Sequence, residues 1–151
     1  MRVQVQEADF DLSTEITALR QARPDLGAVV CFIGLVRDIN AGANVSAMTL
    51  EHYPAMTQKA LEGIATEATQ RWDVAEVLVI HRVGRLLPTD QIVLVAVAGA
   101  HRGSAFQACE FIMDYLKTQA PFWKKELTAN GEQWVEARES DVAAAQRWDK
   151  R

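Results

Sequence analysis

Basic charge is the first thing this chain lacks. Its 151 residues carry 16 Lys and Arg against 20 Asp and Glu, a net charge of −4. Such a chain has no general attraction for nucleic acid or an anionic membrane, so an anion site must come from a local cluster of cations. Cysteine is scarce: only Cys31 and Cys109 occur. They form no CxxC pair, and no Cys/His spacing suits zinc. Two reduced thiols in the core of a cytosolic protein are expected, rather than a disulfide. The N-terminal MRVQVQEADF has no apolar run of signal-peptide length, and no stretch approaches transmembrane length, so a cytoplasmic location is expected. Internal repeats and low-complexity linkers are absent. So are the GxSxG elbow, the P-loop, GxGxxG and HExxH, which removes the commonest hydrolase, nucleotide and zinc-protease signatures.

What remains is an ordinary globular composition, 49% hydrophobic and 24% charged. The length suits a single domain over 1–151, large enough to bury roughly two-thirds of its unfolded surface without staples. Met1 to Gln6 alternates as a short strand. Ser13 caps a short helix to about Ala22, ended by Pro24. GAVVCFIGLV, Gly27 to Val36, reads as a strand buried on both faces or lining a closed sheet. Ile39 to Asn44 is a loop, and Val45 to Tyr53 the returning strand. Pro54 opens a helix whose apolar stripe runs from Met56 to Ala68 and ends near Trp72. Glu76 to Val83 and Gln91 to Ala98 are strands. A second main helix spans Ser104 to Thr118, with Ser104 and Gln107 as a capping box. Trp134 to Ala137 is a short strand and Ser140 to Trp148 a terminal helix. Strands in hairpin-like pairs with two main helices inserted give an α+β class, not a doubly wound parallel sheet.

Two constellations carry chemistry. Ala100-His101-Arg102-Gly103-Ser104 lies between a strand and a helix start, where free N–H groups favour anions. A solvated turn fits the same residues equally well. Lys117 precedes Pro121-Phe122-Trp123-Lys124-Lys125-Glu126. A lysine at a helix end is ordinary dipole compensation, but two aromatics beside two lysines indicate a partly desolvated surface. There a lysine pKa falls and the amine becomes a general acid/base or nucleophile. Arg37, at the exit of the Gly27–Val36 strand, says little alone. His52 and His81 read as structural, and the strand neighbours Glu51 and His52 point to opposite faces.

The segments GAVVCFIGLVRD, LEHYPAM, VIHRVG, AHRGSAFQACEFIMDYLKTQAPFWKKE and WVEARESD together resemble the catalytic (large) subunit family of molybdopterin synthase, from about Gly27 to Trp148. The AHR–SAF turn and the DYLKT–APFWKKE block are the most specific parts. The resemblance implies an α/β-hammerhead-type fold with a mostly antiparallel, barrel-like sheet. It implies an enzyme, a sulfurtransferase that converts cyclic pyranopterin monophosphate (precursor Z) to molybdopterin by building a dithiolene. Sulfur would come from a ubiquitin-like small subunit whose C-terminal Gly-Gly is a thiocarboxylate. The assembly implied is a heterotetramer around a dimer of large subunits, with no metal or other cofactor at this step.

By motif, the resemblance places Lys117 and Lys124 as catalytic acid/base groups. Arg37, His101, Arg102, Lys125, Glu126 and Arg138 fall at substrate-binding positions, and so do Leu35 and Val36. Family members often carry a polar or basic residue where Leu35 stands, so a backbone rather than side-chain contact is expected there. The Ser104–Lys117 helix would hold its ends roughly 20 Å apart. His101 and Arg102 are therefore expected to complete the Lys117/Lys124 site of the partner subunit across a two-fold interface. The competing reading is a non-catalytic module that binds an anion or docks the carrier tail beside Phe122 and Trp123. A nucleic-acid-binding domain is disfavoured by charge and motif.

Overall fold

The structure is a computed structural model and describes residues 1–135 and 138–149. In chain order the elements are β1 (Arg2–Gln6), α1 (Leu12–Arg20), β2 (Ala28–Leu35), β3 (Ile39–Asn40), β4 (Ala43–His52), α2 (Pro54–Arg71) and β5 (Glu76–Arg82). Then follow β6 (Gly84–Leu86), β7 (Gln91–Gly99), α3 (Arg102–Gln119), β8 (Phe122–Thr128), β9 (Gly131–Val135) and α4 (Glu139–Gln146). The class is α+β, as the order of elements predicts.

Four strands form the first sheet in the order β1-β5-β7-β2, with β1 parallel to β5 and the other pairs antiparallel. The second sheet is antiparallel, ordered β3-β4-β8-β9 with β6 added on β4, and it curls into a half-barrel. In the first sheet, alternation sorts side chains between two layers. Val77, Val79, Val93, Val95 and Val97 face α2 and α3 in the main core. Leu78, Ile80, Leu94 and Ala96 face α1 through Phe10, Leu12, Ile16 and Leu19. That two-sided burial explains why β5 and β7 read as near-continuous apolar runs.

Trp72, Phe111 and Trp148 tie α2, α3 and the C-terminal segment together, with ring centroids 5.2–5.8 Å apart. The Trp148 indole donates to Asp114 at 2.7 Å and its carbonyl accepts from Arg71 at 2.8 Å. These contacts anchor α4 against α3.

Several expectations from the sequence need correction. Asp11, not Ser13, caps α1, accepting from the Ser13 and Thr14 N–H groups. β2 is an edge strand, with neither face sealed. Cys31 and Phe32 are exposed, so only Cys109 is a core thiol. An apolar run alone does not distinguish a central strand from an edge strand that keeps an open face. Ile39 to Asn44 is not simply a loop: β3 and β4 form a two-residue hairpin, with Ala41 and Gly42 both at positive φ (51° and 80°). α3 starts at Arg102 with His101 as its N-cap and no side-chain cap bond, so no Ser104/Gln107 capping box forms. Pro121 closes α3, but the following aromatic-lysine segment is strand β8. The strand expected at Trp134 to Ala137 is β9, ending at Val135; Ala137 lies outside the described residues.

Gly27 has a packing role. A Cβ placed there would stand 2.2 Å from the Ala100 carbonyl oxygen, and the Gly27 N–H bonds Gly99 O at 2.9 Å. Gly27→Ala must push back the backbone just before His101. It is expected to destabilise the fold by about 1–3 kcal/mol, read in denaturant melts.

Candidate active site

A cavity of about 430 Å³ opens where the two sheets meet the C-terminal end of α3. Its floor is apolar: Met48, Leu50, Ile92 and Leu116 line it, with Val36 at the exit of β2. Five elements aim polar groups into it. Arg37 follows β2, Lys117 lies in the last turn of α3, Lys124 and Glu126 come from β8, Arg138 is the N-cap of α4, and His81 is the last residue but one of β5.

Strand alternation explains the β8 contribution. Phe122, Lys124 and Glu126 share the cavity face, whereas Trp123 and Lys125 face outward. Trp123 packs edge-on against Tyr53 at 4.8 Å. Lys125 sits over the Trp134 ring at 4.6 Å and 3.7 Å from the Glu132 carboxylate. The adjoining lysines thus have different surroundings.

Lys117 is the electrostatic centre. Its side chain remains accessible in the isolated chain, yet the cavity walls strip water from its ammonium, and this desolvation lowers its pKa. The charges of Lys124, Arg138 and Arg37 push in the same direction, and Asp141 partly opposes them. Glu126 is 8% exposed and accepts a 2.8 Å hydrogen bond from the Asn40 amide. The β3–β4 hairpin thereby holds an anionic acceptor among the cations.

His81 is buried. Burial is the main cause that pushes its pKa down to about 4, and Lys117 and His52 add repulsion. Between its ordinary 6.5 and about 4, the unfolded chain binds more protons at this ring than the folded one. Stability is therefore expected to fall on acidification through that window, and a His81→Phe variant to show a flatter dependence of Tm on pH.

Of the residues expected from the sequence, the structure brings Leu35, Val36, Arg37, Lys117, Lys124, Glu126 and Arg138 to one cavity. Leu35 is 54% exposed at its edge. It does not bring Lys125, whose side chain is on the far face of β8. His101 and Arg102 stand exposed at the opposite end of α3, roughly 20 Å from Lys117 by helical rise. His81, Asn40 and Asp141 also line the cavity, and the sequence reading passed over them as site residues. His81 had one detectable signal: a lone polar residue at the end of the apolar run VLVI.

The hammerhead-type α+β fold carries a cation-rich cavity at its sheet junction, an arrangement whose charge suits a small anion. The sequence profile described as "MoaE protein" matches residues 5–119, and the chain belongs to the MoaE family. A Ralstonia nicotianae protein named molybdopterin synthase catalytic subunit is 66% identical over 146 residues, covering 97% of this chain and 83% of the relative. The solved structure of a molybdopterin biosynthesis MoaE protein from Burkholderia ambifaria superposes with a TM-score of 0.84 at 58% identity, covering 98% of this chain and 97% of that one. A crystal structure of molybdopterin synthase from Staphylococcus aureus gives 0.79 at 31% identity, over 87% and 95%. Among the described residues, no helix is long and apolar enough to cross a membrane.

Proposed function

We propose that this chain is the catalytic subunit of a molybdopterin synthase, an enzyme of molybdenum cofactor biosynthesis located in the cytoplasm. It acts as a sulfurtransferase on cyclic pyranopterin monophosphate, taking sulfur from the thiocarboxylated C-terminus of a ubiquitin-like small subunit. The observation that carries this reading is Lys117. In a chain of the MoaE family, it is a lysine with a lowered pKa in a cavity shared with Lys124, Arg37 and Arg138.

The arrangement divides the labour. Guanidinium groups suit phosphate because they offer paired donors at fixed geometry. Arg37 and Arg138 hold the phosphate and orient the ring system. Opening the cyclic phosphate and adding sulfur at two carbons both require proton transfers. Desolvation and the neighbouring cations lower the Lys117 pKa, so it gives up its proton more readily than a solvated lysine and its neutral amine can then accept one. Lys124 is its cationic neighbour and donates. Glu126, fixed by Asn40, sets a carboxylate among these cations. The partner's His101 and Arg102 complete the site in a dimer, since α3 keeps them from their own chain's cavity. The nucleophilic sulfur belongs to the carrier, so Cys31 and Cys109 have no role in the chemistry.

The name of the Ralstonia relative specifies a subunit, which supports a second chain in the assembly. A second depression, sharing Arg37, Asn40 and Arg138 with the cavity, offers an extended carrier tail a route in. A purely docking role would not require a desolvated lysine at the end of that route. The test is reconstitution: wild-type chain, thiocarboxylated carrier and cyclic pyranopterin monophosphate yield molybdopterin. No product under conditions where the carrier binds would overturn the reading.

A further inference from the structure

The cavity's polar inventory is lopsided. Arg37, Lys124 and Arg138 only donate, and so does Lys117 whenever it is charged. The Asn40 amide, which gives an N–H to Glu126, and the Thr118 hydroxyl, 3.2 Å from the Asp114 carbonyl within α3, each keep an oxygen that can accept. The carboxylates Glu126 and Asp141 accept, but each sits among cations. A fused nitrogen heterocycle brings ring N–H donors of its own, and these need an acceptor that the neighbouring cations do not claim.

His81 meets that need. Its Nδ1 lies 2.8 Å from the Arg82 carbonyl oxygen. A carbonyl can only accept, so Nδ1 carries the hydrogen. The uncharged ring that burial favours therefore has its lone pair on Nε2. Among the described residues Nε2 has no hydrogen-bond partner. Nor is it a sealed, unsatisfied atom: among the described residues it is not one of the buried side-chain atoms left without a partner, as the Thr57 hydroxyl is. The ring lines the cavity and is clamped by a near-parallel stack on Phe122, centroids 3.9 Å apart and planes at 17°. The backbone bond fixes the tautomer, and the stack fixes the plane.

We propose that His81 is a further substrate-binding residue: its Nε2 accepts a hydrogen bond from a ring N–H of the bound pterin and so selects the heterocycle's orientation in the cavity. This rests on the pterin reading of the site. The Arg and Lys groups would then grip the phosphate, while His81 reads the ring.

The experiment measures binding of cyclic pyranopterin monophosphate to the full chain in complex with unactivated carrier, so that no turnover occurs. His81→Asn keeps an N–H for the Arg82 carbonyl but has no acceptor at the Nε2 position. It is expected to weaken binding about tenfold, the scale of one lost hydrogen bond in a desolvated site. His81→Gln, whose amide oxygen reaches near the Nε2 position, is expected to stay within about threefold. In the turnover assay, KM should carry the change and kcat should move little. Should His81→Asn fail to fold, the wild type supplies the answer: in ¹⁵N-histidine NMR the Nε2 resonance shifts upfield as the cavity fills. Wild-type affinity in folded His81→Asn, or an unmoved Nε2 resonance at saturation, overturns the proposal and leaves the pterin reading intact. Failure of the wild-type complex to bind the pterin overturns both.

Discussion

Lys117→Ala is expected to lower molybdopterin formation by about 10²- to 10⁴-fold while leaving the melting temperature close to that of the wild type. The magnitude is that of a lost general acid/base group. The structural argument is that Lys117 holds its charge at a cost: desolvation and the charges of Lys124, Arg138 and Arg37 all disfavour the ammonium. Removing it relieves repulsion instead of breaking a pair, and its side chain is accessible in the isolated chain. The fold therefore has little reason to suffer. Turnover that requires neutral Lys117 should rise with pH, with a midpoint below that of an ordinary lysine, because the pKa is lowered. A product assay across pH on wild type and variant checks both claims. A rate near that of the wild type would remove Lys117 from the chemistry.

The second large effect is a recovery. Arg102→Ala and Lys117→Ala should each be nearly inactive alone. If the site is shared across a two-fold dimer, mixing the two restores one intact site per heterodimer. That site joins the Lys117 of one chain to the Arg102 of the other. Random exchange makes half of the dimers mixed, each with one good site of two, so activity should return to about a quarter of the wild-type level. Two inactive variants that stay inactive after verified subunit exchange would place both residues in one chain's site. The structure gives this test its force through α3, a helix of 18 residues with the two groups at opposite ends.

Much of this was legible in the sequence because it follows from short-range rules. Pro54 opens α2 at its first position, and the apolar runs at Glu76 and Gln91 are the central strands. The cations at Arg37, Lys117 and Lys124 could be named from residue type and from the family's motifs. What stayed hidden depends on long-range pairing. β2 has the composition of an inner strand, and only its place at the end of the order β1-β5-β7-β2 makes it an edge. Lys124 and Lys125 look alike in a string of letters. They separate only when the pairing of Leu50 with Lys124, and of Thr49 with Lys125, assigns each a face. His81 looked structural because its role depends on Phe122, 41 positions later. The Asn40–Glu126 bond spans 86 positions and has no local trace.

The pairing of β8 also sets how the enzyme can change. A strand's faces exchange with every one-residue slip. Adding a single residue between Pro121 and Lys124 would move Lys125 into the cavity and Lys124 onto Trp134, and deleting one would move Lys125 into the cavity and Lys124 to the place of Trp123 beside Tyr53. Glu126 would leave Asn40 in the same movement. Substitutions can explore this site one group at a time, whereas length changes here exchange all of its β8 groups at once. The Lys124-Lys125 doublet therefore offers no redundancy, and natural variation in this block should proceed by replacement rather than by insertion or deletion.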